Sequence, residues 1–217
     1  MRHVTALAAM LHRLRDDRSG VALLEFALTL PILLLMSLTG AELTNYVTTR
    51  MRIAQIALHL ADNAARIGSG SQLASKTITE TDINDLLTGA NLQSGELALL
   101  TNGRIIISDL EPIANPNPTS KYKIVWQRCK GNKTSHASTY GTTGQTNLTG
   151  MGPAGRQALA PDGGATMFVE VYYEYQPLVK TSLSPTSNMT EVASMMVRDT
   201  RDLTQIYNTA GATISSC

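Results

Sequence analysis

Arg18-Ser19-Gly20-Val21-Ala22-Leu23-Leu24-Glu25-Phe26-Ala27-Leu28-Thr29-Leu30-Pro31-Ile32-Leu33-Leu34-Leu35-Met36 is the stretch on which the fold turns. From Val21 to Gly40 its only charge is Glu25. About 20 helical residues, rising about 1.5 Å each, match the ~30 Å hydrocarbon core of a bilayer. The run is apolar on every face, unlike the amphipathic helix of a soluble domain, so 21–41 reads as a transmembrane helix. Four basic residues precede it, Arg2, Arg13, Arg15 and Arg18. By the positive-inside rule they put the N-terminus in the cytoplasm and everything after Glu42 outside. Arg50 and Arg52 lie beyond the span and reduce this asymmetry.

Outside that block the composition changes character. The chain has 217 residues, enough for one ordinary domain or a small domain with an appendage. With 18 basic and 17 acidic side chains it lacks the basic surface that phosphate binding demands, which argues against nucleic acid as a partner. The 43% hydrophobic average merges a dense apolar block with a remainder rich in Thr, Ser, Asn and Gly.

Helical periodicity continues past Gly40. Leu43, Tyr46, Val47, Ile53, Ile56, Ala57, Leu60, Ala64 and Ile67 recur at steps of three and four, and Gly68-Ser69-Gly70-Ser71 stops the run. A stem helix over 42–68 therefore follows the span, with one apolar face that needs a partner surface. The head, 69–217, is expected to be α+β. Thr79–Asn91 reads as a short helix capped by Thr79 or Thr81 and ended by Gly89. Glu96–Thr101 and Arg104–Leu110 flank Asn102-Gly103, a strong hairpin signal. Lys121–Arg128, Thr166–Gln176 and Val192–Val197 read as further strands, with a helix over 190–207 as the alternative to the last. Glu111–Ser120, broken by three prolines, and the long 131–164 segment read as loop. A four- or five-stranded, mainly antiparallel sheet against the stem helix is the expectation.

Two cysteines, Cys129 and Cys217, both fall outside the membrane on this topology, where disulfides persist. A bridge would close a loop of about 90 residues and add roughly 4 kcal/mol in the loop-entropy account; two free thiols are the alternative. No metal site is expected, since the cysteines lack paired spacing and His3, His12, His59 and His136 are scattered. No nucleophile elbow, Walker loop or dinucleotide fingerprint occurs, and neither enzyme activity nor a cofactor is expected.

A charged leader ending in Gly20, followed by an apolar helix with Glu at its fifth position, resembles the processing site of type IV prepilins. The fuller stretch from Asp16 to Gly40 looks like the TadE-like minor pilins, or pseudopilins, of the tight-adherence Flp pilus system. A second echo is Phe168-Val-Glu-Val-Tyr-Tyr-Glu-Tyr-Gln-Pro-Leu178, similar to a late strand ending Tyr-x-Pro-Leu in those proteins. Glu25-Phe26 stands where the short major Flp pilins usually carry Glu-Tyr, and a large head follows, which favours a minor subunit.

The resemblance implies a pilin-like fold, in which the long N-terminal helix packs its second half on the sheet. It implies removal of the leader, residues 1–20, by a prepilin peptidase between Gly20 and Val21. Glu25, with Phe26 beside it, would then register the subunit against neighbours in the pilus. The implied partners are the inner membrane, that peptidase, other pilin and minor-pilin subunits and the pilus assembly machinery, with the head periplasmic. Two alternatives stay open: an uncleaved single-pass envelope protein with a binding head, and an exported protein cut near Ala41.

Overall fold

The computed structural model of the chain describes residues 12–13, 19–70, 74–179, 185 and 188–217. Most of the leader, whose Leu7, Met10, Leu11 and Leu14 suggest an amphipathic segment, lies outside the described residues. Helix α1, Ser19–Ala64, runs without a break through Pro31. Among the described residues it is the one helix long and apolar enough to cross a membrane. Around α1 the chain forms two compact units: the described residues up to Asn45 with Pro177–Val179, and those from Tyr46 to Gln176 with Pro185 and 188–217.

In the first unit, α1 exposes its apolar side chains on all faces; Leu23 is 73% exposed and Met36 70%. In the second unit the same helix turns amphipathic. Ile53, Ile56, Ala57, Leu60, Ala61 and Ala64, spaced three and four apart, are buried there.

The sheet has four strands, β1 (Gly103–Pro112), β2 (Tyr122–Lys130), β3 (Thr166–Glu174) and β4 (Asn188–Met196), in the order β2-β1-β3-β4 with every pair antiparallel. Its central strands are buried on both sides. Ile105, Ile107, Met167, Val169, Val171 and Tyr173 pack with the α1 face and with helix α2 (Glu80–Ser94). On the other side Leu110, Ile124 and Phe168 pack under Met151 and Ala160 of the 131–164 segment. Complete burial of each such Ile or Leu contributes about 1.5–3 kcal/mol, so the segment is a structural layer of the head.

Several expectations change. Thr79 does cap α2: its hydroxyl accepts the N–H of Asp82 at 3.1 Å, and its own N–H reaches the Asp82 carboxylate at 2.9 Å. The helix passes through Gly89 and ends at Ser94, where Gly95 takes φ +53°. No hairpin forms at Asn102-Gly103. Residues 95–102 form a 3-10 turn and a short helix α3, Leu99–Asn102, and β1 begins at Gly103. Gly103 is extended; a Cβ there would collide with the Tyr172 carbonyl oxygen, so glycine is needed for strand approach and not for a turn. The 190–207 region is strand at its start, because β4 needs β3 to complete its ladder. It pairs there from Asn188.

Candidate functional site

Gly20 and Val21 lie in the first turn of α1, and both are exposed. A Cβ on Gly20 would meet nothing within 4 Å, so packing does not require glycine there. Glu25 and Phe26 follow one turn later on the same exposed helix. The Glu25 carboxylate makes no hydrogen bond or ion pair among the described residues. The neighbouring polar groups are satisfied inside the helix: Thr29 donates its hydroxyl to the Glu25 carbonyl at 2.8 Å, Thr39 to Leu35 at 2.7 Å and Thr44 to Gly40 at 2.8 Å. Such back-bonding leaves Glu25 as the one strongly polar side chain projecting from the apolar stretch.

At the far end of the apolar stretch, Glu42 is buried. Its carboxylate accepts the backbone N–H of Leu178 at 2.9 Å and of Val179 at 3.1 Å. Sequence reasoning treated Glu42 only as the boundary of the span. The available signal was Pro177-Leu178, the end of the second echo.

In the head, Cys129 and Cys217 are joined by a disulfide with a Cα–Cα distance of 4.9 Å. The Cys129 N–H donates to the Ser215 carbonyl at 2.7 Å, and Asn84 holds the same strap through the Thr213 carbonyl at 2.8 Å and the Ser215 hydroxyl at 2.7 Å. A cavity of about 430 Å³ opens beside the bond, lined in part by Arg104, Gln127, Thr134 and Ser216. Arg104 donates to the carbonyls of Thr134, His136 and Cys217, which ties its guanidinium to the wall of the cavity.

Glu170 is 1% exposed, on the sheet face under the 131–164 segment. It accepts the Ser138 hydroxyl at 3.0 Å, the Thr139 N–H at 3.2 Å and the Thr139 hydroxyl at 2.8 Å, with His136 Nε2 at 3.3 Å. The His136 ring stacks on Tyr172 with centroids 4.0 Å apart. Burying a carboxylate is costly unless hydrogen bonds replace its water, and this one, so bonded, latches the segment to β3. Ser138 donates to Glu170, not to His136, so the trio is not a hydrolytic triad. The periodicity of β3 placed Glu170 on this face, but only tertiary structure shows what covers it.

Arg201 closes the C-terminal end of α1. Its Nη2 donates to the carbonyls of Ala64 at 3.0 Å and Ile67 at 2.8 Å, groups that a helix end leaves without partners. Asp109 and Glu111, two residues apart on one face of β1, are buried with one carboxylate oxygen each lacking a partner. Burial, then the Glu111 charge, push Asp109 well above the usual carboxylate range, while Arg201 pulls it back.

Among the described residues no three His, Cys, Asp or Glu side chains converge as metal ligands. No family model, curated protein or solved structure matches the chain.

Proposed function

We propose that this chain is a TadE-like minor pilin of the Flp, or tight-adherence, type. It is held in the bacterial inner membrane by α1, with its N-terminus cytoplasmic and its head periplasmic. A prepilin peptidase cuts between Gly20 and Val21, and the mature subunit joins a pilus or its initiating complex.

One observation carries the proposal. An exposed, sterically undemanded glycine stands at the start of an apolar helix, five residues before a single carboxylate with no partner among the described residues. Cutting after Gly20 frees the Val21 amine. An ammonium and a carboxylate about 4 Å apart attract by about 4 kcal/mol at an effective dielectric constant near 20. Glu25 of one subunit can thus pair with the amine of the next and set axial register. A carboxylate at the bilayer centre costs about 2.5–3.5 kcal/mol, and near the helix end it costs less. The Cys129–Cys217 bond supports an extracytoplasmic head, since reducing compartments do not keep such bonds.

Two substitutions test the proposal together. Gly20→Ala should leave residues 1–20 attached and abolish piliation. Glu25→Ala should still be inserted and cut but fail to assemble. Normal piliation by an uncut Gly20→Ala chain would remove the basis of the proposal.

A further inference from the structure

The apolar stretch of α1 ends at a defined residue. From Val21 to Ala41 its one charge is Glu25, and about 21 residues at about 1.5 Å each fill the ~30 Å core of a bilayer. Glu42 comes next, so in a membrane it stands at the outer boundary of that core. It is nonetheless only 5% exposed. Helical side chains lean towards the helix N-terminus, which here is back towards the membrane. Whatever the Glu42 carboxylate holds is therefore kept level with the boundary.

What it holds is Pro177-Leu178-Val179. The carboxylate accepts the N–H of Leu178 at 2.9 Å and that of Val179 at 3.1 Å. Pro177 has no N–H to satisfy. Three consecutive apolar residues thus reach this level with every backbone donor accounted for. An unpaired N–H is expensive where water is scarce, and irregular backbone in water needs no such pairing. Pro177 and Val179 are half-buried, while Leu178 is 67% exposed. One exposed leucine on a soluble surface carries no message. This one adjoins a surface that is already apolar, since Leu38 and Leu43, on either side of Glu42 along α1, are exposed as well.

We propose that Pro177-Leu178-Val179 is a second membrane contact, with the Leu178 side chain inserted at the boundary between headgroups and acyl chains where α1 leaves the bilayer. Its occupant is lipid, because the apolar surface of α1 that it continues is covered by lipid in a spanning helix. Apolar side chains held in the plane of the interface bury themselves to that depth. Pro177-Leu178-Val179 carries no charge, so the contact requires no anionic headgroup. Glu42 supplies both acceptors and so fixes the segment beside the end of the span. The inference rests on α1 crossing a membrane and not on removal of the leader.

The test uses the full chain in vesicles of phosphatidylcholine. Both native cysteines are in the disulfide, so an introduced cysteine is the one site for a thiol-reactive fluorophore. Leu178→Cys, Ile32→Cys in the middle of the apolar stretch and Leu92→Cys on α2 each replace an exposed side chain and remove no core packing. Each probe is quenched with phosphatidylcholine carrying a nitroxide either near the headgroup or deep in the acyl chain. The Leu178 probe should be quenched at least twice as strongly as the Leu92 probe, and more by the shallow nitroxide than by the deep one. The Ile32 probe should show the reverse order of depth. The proposal is overturned if the Ile32 probe is quenched while the Leu178 probe is quenched no more than the Leu92 probe, which would place water or protein against Leu178. It is overturned equally if the deep nitroxide quenches the Leu178 probe more than the shallow one. If the Ile32 probe is not quenched, the reading of α1 as a membrane span fails, and the proposal fails with it.

Discussion

The carboxylate of Glu42 accepts the backbone N–H of Leu178 at 2.9 Å, across 136 residues of sequence. With the second bond to Val179, it ties the segment after β3 to the end of the apolar stretch of α1. Both amides donate to one side chain, and a hydrogen bond to a charged acceptor contributes about 1.5–3 kcal/mol. Glu42→Ala should therefore speed hydrogen exchange at Leu178 and Val179 by at least tenfold, with Val169 in β3 unchanged. Glu42→Gln keeps an acceptor and should fall between. Unchanged exchange at both amides would show that other contacts hold the segment.

The disulfide joins residues 88 apart. Loop closure of that length is worth about 4–5 kcal/mol in the unfolded-state entropy account. Cys217→Ser should lower stability by about that amount and free the strap that Asn84 and Cys129 hold. Denaturant unfolding of the wild type with and without reductant measures it. Equal midpoints would contradict the assignment of this bond as a main constraint on the head.

Asp109 supplies a pH dependence of definite sign. Its folded pKa is raised above the ordinary value of 3.8 by burial and by Glu111. The folded chain therefore holds a proton that the unfolded chain releases. Its contribution to stability is fully present below 3.8 and is lost as pH rises through the raised value, by at most about 1.4 kcal/mol per pH unit. Asp109→Asn carries no titrating group, and its amide can donate to Glu111. It should flatten the fall in stability from acid to neutral pH and be the more stable form at neutrality. A variant with the wild-type slope would mean that Asp109 does not hold the proton.

Legibility in the sequence followed the range of the interactions. Helix α1 could be read because its signals are local: an uninterrupted apolar run, then Ile53, Ile56, Leu60 and Ala64 on one face. The Thr79 cap and β3 were equally local. Asn102-Gly103 misled because glycine serves two needs, positive φ in a turn and close strand approach, and here Tyr172 imposes the second. The carboxylates of Glu42 and Glu170 find their donors 136 and about 31 residues away, beyond any periodicity. The Arg201 cap on α1 is hidden for the same reason. At the candidate processing site the relation is reversed. Gly20, Val21 and Glu25 were conspicuous as a spacing, and the fold adds that they are exposed and that Glu25 has no partner among the described residues.

The mature N-terminal residue of the membrane-bound protein tests the central claim most directly, by mass spectrometry of the intact chain from cells with an active prepilin peptidase. A start at Val21 is predicted, with the residue-1 start recovered when that peptidase is absent. A chain that begins at Met1 in both strains, or at Glu42, would contradict it.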